Sequence, residues 1–192
     1  MSASMTYVFS PDQHSQLLPY LAALHASCIT LDHMVGPFLP PLTNEKLLPW
    51  WKDRIAEANR GARVIVLLLP EQQPAHSGGR KPAGTDLRGL AMLKLAESET
   101  GSFRGHIDAV LVDRRWRRQG GARALVAALE YEAVKRGRSL LLVDTETGSV
   151  AETAFKKFGY IEIGKVPHFS RALPSGKKGE TFFYKEFGSP SS

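Results

Sequence analysis

The stretch from Val110 to Leu125 constrains the fold more than any other part of this sequence. A run of strand-forming residues ends at Val112, an arginine-rich turn follows, and Gly120 and Gly121 then open a helical pattern. A helix that begins this way leaves the N–H groups of its first turn unpaired, and its dipole adds partial positive charge there. Because glycine has no Cβ, an anion can approach the backbone closely. The segment therefore predicts a strand that leads into a phosphate-binding turn.

The composition predicts a single globular domain in a reducing compartment. The 192 residues are 43% hydrophobic and 23% charged, which is enough apolar material for a core. We expect one domain over residues 1–187, with a long loop at residues 71–86 and a disordered tail at residues 188–192. The longest apolar run is far shorter than the roughly 20 residues of a membrane span. The N-terminus lacks a signal-peptide pattern, and the single cysteine has no partner for a disulfide. These features predict a cytoplasmic protein, with the nucleus not excluded, and no membrane partner.

The net charge of +6 is compatible with two kinds of partner. Excess positive charge attracts polyanions such as nucleic acid. It also suits a protein that binds a small phosphorylated ligand. Because the arginines are concentrated in the turn at residues 114–118 rather than spread over a long face, we favour the small ligand and expect no nucleic-acid partner.

The hydrophobic periodicity predicts seven strands and four helices. The apolar run at residues 63–69 has the composition of a strand that is buried on both faces. A proline-rich segment at residues 36–42 is incompatible with a regular helix. The remaining strands are expected at residues 6–10, 88–96, 106–112, 139–143, 160–166 and 181–187, and the helices at residues 11–29 (interrupted at Pro19), 44–59, 121–137 and 149–158.

The segment VLVDRRWRRQGGARAL resembles the central signature of the GCN5-related N-acetyltransferase (GNAT) superfamily. In that signature a strand, here ending at Val112, is followed by a four-residue spacer and by R/Q-x-x-G-x-G/A, here residues 117–122. Downstream, LLLVDTETGSVAETAFKKFGYIEIG resembles the next strand and helix of the superfamily. The resemblance extends over residues 63–187. Within the superfamily, DTETGSVAE, KVPHFSR and TFFYK are most similar to the tabtoxin-resistance acetyltransferase branch.

The resemblance implies the GNAT fold, of class α/β (α+β), with a central mixed, mostly antiparallel twisted sheet of about seven strands flanked by about four helices. It also implies acetyl-coenzyme A (acetyl-CoA) as the acetyl donor, direct transfer to an amine, and no metal. The residues expected to contact the cofactor lie at the end of the strand, in the glycine loop and in the next helix. They are Val110, Leu111, Val112, Arg117, Arg118, Gln119, Gly120, Gly121, Ala122, Arg123, Ser149 and Phe155.

His106 is the candidate general base. An alkylammonium group with a pKa near 10 must lose a proton before it attacks, and an imidazole with a pKa near 6.5 accepts one at neutral pH. In the tabtoxin-resistance branch a glutamate is expected at this position, and a surface histidine at a strand edge is an equally good interpretation. Asp144 falls on the DTE segment, where it is expected to polarise the amine, orient the base or cap a turn.

The sequence departs from the superfamily at the general acid. Many members carry a tyrosine in the helix that follows Asp144, and this tyrosine protonates the coenzyme A sulfur. The corresponding residue here is Phe155, which has no proton to donate. Three outcomes are open: the thiolate leaves unassisted or through water, a hydroxyl of Ser149, Tyr160 or Tyr131 substitutes, or activity is reduced.

The function that we expect is transfer of an acetyl group from acetyl-CoA to a primary amine of a small molecule. Two alternatives stay open. One is a protein or peptide acetyltransferase acting on lysine or on an N-terminus, and the other is a non-catalytic acyl-CoA-binding regulatory module. Assembly as a homodimer is also left open.

Overall fold

A seven-stranded sheet forms the centre of the computed structural model, which describes residues 3–71 and 81–188. Residues 72–80 of the expected long loop and residues 189–192 of the expected tail lie outside the described residues. The strand order is β1-β2-β3-β4-β5-β7-β6. In the described chain β4 and β5 run parallel and every other neighbouring pair is antiparallel, which confirms the mixed, mostly antiparallel sheet. The strands are β1 (Ser4–Val8), β2 (Arg63–Pro70), β3 (Gly89–Leu95), β4 (Arg104–Val112), β5 (Leu140–Glu146), β6 (Ile161–Ala172) and β7 (Gly176–Glu186).

Helices cover both faces of this sheet. On one face α2 and α3 pack over β1 to β4, and on the other α4 and α5 pack over β2 to β5 and β7. Side chains of β2 alternate between the two faces of the sheet, and both faces are covered by helices, which explains its unbroken apolar run. Val64, Val66 and Leu68 face α4, and Ile65 and Leu67 face α2 and α3. No helix in the described ranges is long and apolar enough to cross a membrane. The helices are α1 (Pro11–His14), α2 (Leu18–Asp32), α3 (Asn44–Asn59), α4 (Gly121–Lys135) and α5 (Val150–Lys157).

The largest differences from the predicted elements are at β6 and β7. Both strands extend well beyond the expected ranges, and they form a long hairpin in which Arg171 lies opposite Lys177. The extra residues are mostly polar residues, glycine or proline, and only Ala172 and Glu180 among them are buried, so they carry little hydrophobic signal. Backbone pairing holds them together, and β6 accommodates Pro167 because it is an edge strand with a register shift there. Pro19, which was expected to interrupt a helix, instead lies in the first turn of α2.

The sheet opens between β4 and β5. These strands pair in parallel only from residues 104–107 of β4 to residues 140–143 of β5. Beyond that point β4 continues to Val112 alongside β3, and β5 continues to Glu146 alongside β7. A register shift leaves Asp108 as an extra residue in β4, which is a β-bulge at the start of the divergence. We call this opening the β4–β5 gap.

Candidate active site

The loop between β4 and α4 presents unpaired backbone donors. Arg118 and Gly120 both have positive φ angles, of 60° and 80°, so the chain turns tightly before the helix begins. None of the backbone N–H groups of residues 118–123 donates a hydrogen bond within the described part of the chain. Successive backbone N–H groups in such a turn form a concave anion-binding nest. A Cβ on Gly121 would lie 2.7 Å from Leu68 Cδ2, so the absence of a side chain lets α4 pack closely on β2.

Two arginines of this loop are held by an aspartate of another element. Asp32, the last residue of α2, pairs with Arg117 and also accepts a hydrogen bond of 2.7 Å from Arg114 Nε. Arg117 Nε in addition donates to the carbonyl oxygen of Val112 at 2.9 Å. The hydrogen bond from Arg117 is the main cause of the lowered pKa of Asp32. The Arg117 guanidinium therefore joins the loop to α2.

Arg118 and Arg123 lie differently. Both side chains are exposed, and neither forms an ion pair with any described residue. Arg123 lies with its guanidinium carbon 6.0 Å from the centre of the Phe158 ring. These two guanidinium groups are therefore unpaired cations beside the glycine loop. From the sequence alone, Arg117 has the same expected role as Arg118 and Arg123.

The end of β4 has an open main-chain edge, although the carbonyl oxygen of Val112 already accepts a hydrogen bond from Arg117 Nε. Val110, Leu111 and Val112 pair with β3 on one side, and on the other side β5 has already diverged. Unpaired N–H and C=O groups of a strand edge accept an extended polar ligand in place of the missing strand. The predicted residues Val110, Leu111 and Val112 thus border the β4–β5 gap, and the predicted residues 117–123 follow in the loop and the first turn of α4.

His106 and Asp144 form a hydrogen-bonded pair next to the gap. His106 Nε2 lies 2.8 Å from Asp144 Oδ1, and the two side chains are 39% and 29% exposed. Burial raises the pKa of Asp144, but hydrogen bonds from His106 and Glu180 outweigh it and hold the pKa below its usual value. Since an ionised carboxylate only accepts hydrogen bonds, Nε2 of His106 carries the hydrogen of this contact, and in the neutral imidazole the lone pair is then on Nδ1.

Glu180 is a member of this cluster that the sequence did not reveal. It lies on β7, is buried, and contacts Asp144. Burial raises its pKa, a hydrogen bond from Ser170 opposes this, and the Asp144 charge adds to the rise. Two adjacent carboxyl groups tend to share one proton, and the raised pKa of Glu180 beside the lowered pKa of Asp144 favours Glu180 as its carrier. The predicted strand began at residue 181, so no signal placed Glu180 on the same face as Asp144.

The bulge in β4 is tied to the core by a buried ion pair. Arg63 Nη1 lies 2.5 Å from Asp108 Oδ2, and Arg63 Nε lies 2.6 Å from Glu57 Oε2. The Arg63 side chain is only 2% exposed. This pairing anchors the irregular point of β4 between α3 and β2, and the sequence gave no sign of it.

None of the candidate residues around α5 offers an exposed hydroxyl group that could serve as a proton donor. Phe155 is buried against Phe158 and Tyr160, with ring centres 5.9 and 5.0 Å away. Burial, with the neighbouring Glu130, raises the pKa of Tyr160 strongly. Ser149 Oγ accepts a hydrogen bond of 3.1 Å from the N–H of Glu152, so it caps α5. Tyr131, the third hydroxyl considered, is exposed on α4.

Within residues 3–71 and 81–188 the site has neither a reactive thiol nor a metal cluster beside it. Burial, reinforced by Asp32, raises the pKa of Cys28 to about 11, which keeps this sulfur protonated at neutral pH. No group of three or more His, Cys, Asp or Glu side chains able to hold a metal occurs among the described residues.

Residues 88–171 match the family model of the acetyltransferase (GNAT) domain. Among solved structures, a protein of Acinetobacter baylyi ADP1 assigned as an acetyltransferase is 14% identical with a TM-score of 0.74, over 99% of this chain and 95% of that one. Ribosomal-protein-alanine N-acetyltransferase from Brucella melitensis is 19% identical with a TM-score of 0.67, over 95% and 99%. An assigned acetyltransferase of Salmonella typhimurium, solved with acetyl-CoA, is 13% identical with a TM-score of 0.68, over 100% and 98%. At these identities the structural likeness confirms the GNAT fold.

Proposed function

Because residues 88–171 match the acetyltransferase (GNAT) domain model, we propose that this chain moves the acetyl group of acetyl-CoA to a primary amine of a small molecule. The His106–Asp144 pair beside the β4–β5 gap is the observation that carries this proposal. The finer assignments belong to it as well: the tabtoxin-resistance branch, one catalytic domain over residues 1–187, and a cytoplasmic location without a nucleic-acid partner.

The glycine loop fits the diphosphate of coenzyme A. Unpaired N–H groups over residues 118–123 and the positive end of α4 favour phosphate oxygens, and the exposed Arg118 and Arg123 add charge beside them. The open edge of Val110 to Val112 fits the amide-bearing arm of the same cofactor. The solved relative with bound acetyl-CoA supports this assignment by analogy of fold.

Acetyl-CoA supplies a thioester whose carbonyl carbon is open to attack by an amine. In this chain His106 Nδ1 takes the proton of the amine, while Asp144 holds Nε2–H and stabilises the imidazolium that forms. Glu180 adds a hydrogen bond to Asp144 and so helps to hold that carboxylate in place. The anchoring of Asp108 by Arg63 fixes the bulge of β4 next to the reacting groups.

Phe155 makes this chain dependent on solvent for the final proton. It is buried and has no hydroxyl, and the raised pKa of Tyr160 makes that residue a poor donor. Neither Ser149 nor Tyr131 compensates, because the first caps α5 and the second is exposed on α4. We therefore assign protonation of the leaving sulfur to water.

The proposal is tested by measuring thiol release from acetyl-CoA by the full chain in the presence of a panel of amines. We expect turnover with at least one small primary amine, and a loss of about a hundredfold in kcat for His106→Gln. His33→Asn is the matched control, because His33 is an exposed histidine with a φ of 53°, which asparagine tolerates. Coenzyme A binding without turnover on any amine would instead support the regulatory module, and faster acetylation of peptides than of free amines would support a protein acetyltransferase.

A further inference from the structure

A cleft of about 370 Å³ lies directly beside His106, on the side away from Asp144. Its floor is formed by neighbouring strands, since Lys94 of β3, His106 of β4 and Leu142 of β5 are register partners. Its volume is within the range of small-molecule sites in proteins. The cleft is lined by residues 94–98, Arg104, Gly105, His106 and Leu142.

The charges of the cleft are not balanced within the protein. Lys94 and Arg104 both line it, and neither pairs with a carboxylate in the described part of the chain. Arg104 Nε is buried and has no hydrogen-bond partner among the described residues. The acid that also lines the cleft, Glu97, lies 3.8 Å from Arg60 and is thereby compensated. The cleft therefore carries an excess of positive charge.

The opposite side of His106 carries the opposite charge. Asp144 is ionised and lies 2.8 Å from His106, and Glu146 lies two residues further along β5, paired with Lys178. Asp108 is already paired with Arg63. The line from Lys94 across His106 to Asp144 thus runs from a free cation to a carboxylate, with the candidate base between them.

We infer that the acceptor is an amine that also carries a carboxylate, such as an amino acid, whose carboxylate binds Lys94 and Arg104 while its amine lies at His106. The inference rests on the proposed acetyl transfer and names its substrate class. The amine nitrogen bonds to the acetyl carbonyl carbon as the carbon–sulfur bond breaks. The bonding pair leaves with the sulfur, and the proton that the nitrogen sheds on attack reaches the thiolate through water. The other proton, which makes the incoming group an ammonium, passes to His106 Nδ1 before the attack. Asp144 attracts the incoming ammonium group before that proton is lost, so the charge pattern complements a zwitterion.

The test compares amino acids with their amides and with the corresponding decarboxylated amines in the thiol-release assay. Methionine, leucine and phenylalanine, each in three forms, differ in their side chains, and within each set the α-carboxylate is the only group that changes. We expect kcat/KM of at least one acid form to exceed that of its amide and amine by about tenfold or more, since ion pairing to a partly buried guanidinium has that magnitude.

Lys94→Met and Arg104→Met are expected to raise KM for the acid form about tenfold and to leave its kcat and the KM of the amide within about twofold. Lys94→Arg is expected to restore most of the preference. Lys135→Met, an exposed lysine of α4, is the matched control and should change neither value. A melting temperature for each variant separates loss of binding from loss of folding, and Lys94 is exposed enough to be replaced safely.

The outcomes distinguish the two proposals. Equal use of acids, amides and amines by the wild-type protein, or a preference for the acid that survives Lys94→Met, overturns the inference and leaves the acetyltransferase intact. If none of the amines in the panel or in a wider set supports thiol release, the proposed function is overturned, and the inference is lost with it.

Discussion

The Asp32 carboxylate at the end of α2 is joined to the Arg117 guanidinium of the glycine loop. This pair connects the helical layer on one face of the sheet with the loop that opens the helix on the other. Arg114 adds a second contact to the same carboxylate and donates to the carbonyl oxygen of Leu31. The arginines of the motif thus divide into Arg114 and Arg117, which hold the loop, and Arg118 and Arg123, which are exposed beside it.

Asp32→Asn is expected to weaken coenzyme A binding although Asp32 does not face the ligand. Without the carboxylate, Arg117 and Arg114 lose their common partner and the loop loses its tie to α2. We expect Kd for coenzyme A, measured by calorimetry, to rise about three- to tenfold, which corresponds to roughly 1 kcal/mol for a partly exposed pair. An unchanged or lower Kd would mean that the released guanidinium groups serve the phosphates better than the held loop does.

Gly120→Ala and Gly137→Ala form a matched pair for the role of the loop. Both glycines have positive φ, of 80° and 70°, and a Cβ on either meets nothing within 4 Å. Each substitution should therefore lower the free energy of unfolding by about 1 kcal/mol through backbone strain. Gly120→Ala alone should raise Kd for coenzyme A, because Gly137 lies at the far end of α4. Equal Kd values in the two variants would contradict the assignment of the loop as the phosphate site.

Glu180 is expected to act as a positioning residue. Glu180→Gln retains an N–H donor toward Asp144, so kcat should stay within about threefold of the wild-type value. Glu180→Ala removes the donor and should lower kcat about tenfold, with little change in KM for acetyl-CoA. Urea unfolding of both variants controls for loss of packing at this buried position. Equal kcat losses in both variants would argue against hydrogen bonding to Asp144 as the cause.

His25 is expected to make the protein sensitive to acid. It is buried among Phe38, Trp50 and Trp51, and burial lowers its pKa to about 4. The unfolded chain binds a proton at His25 near pH 6.5 while the folded chain does not, so stability is full above pH 6.5 and falls toward pH 4. The loss amounts to about 3 kcal/mol for this residue.

The check is urea unfolding between pH 7.5 and 4 for the wild-type protein and His25→Phe, with His25→Gln as a second variant. Burial also lowers the pKa of His14, so both proteins lose some stability in acid for a shared reason. The informative quantity is the difference between the two pH curves. Parallel curves for wild type and both variants would show that His25 does not titrate in this range.

The parts of the structure that the sequence predicts well are those encoded by local spacing. The helix at residues 44–59 and the buried strand from residue 63 were expected almost within their observed limits, because periodicity and a preceding cap residue are local signals. The turn around Gly120 is also local, since positive φ and a helix start within a few residues determine it. His106 and Asp144 were proposed as candidates, and the parallel pairing of β4 with β5 brings them into contact.

The residues that sequence reasoning missed act through distant partners. Asp32 meets Arg117 across much of the chain, and Arg63 meets Asp108 only because β2 and β4 flank β3. Glu180 reaches Asp144 because β7 is inserted between β5 and β6. When its partner is unknown, a charged residue next to a predicted strand is interpreted as the solvent-exposed end of that strand. Topology, rather than propensity, gives these side chains their roles.

At the β4–β5 gap two strand edges are open in the interior of the sheet, where strand edges are normally paired. The two halves of the sheet pair with each other only along residues 104–107 and 140–143. Beyond these residues each half has an open strand edge. Exposed β-edges attract other extended segments, including those of neighbouring molecules. Coenzyme A bound in the β4–β5 gap would act as a substitute strand. Protein stored with coenzyme A should therefore resist both heat and aggregation better than protein stored alone.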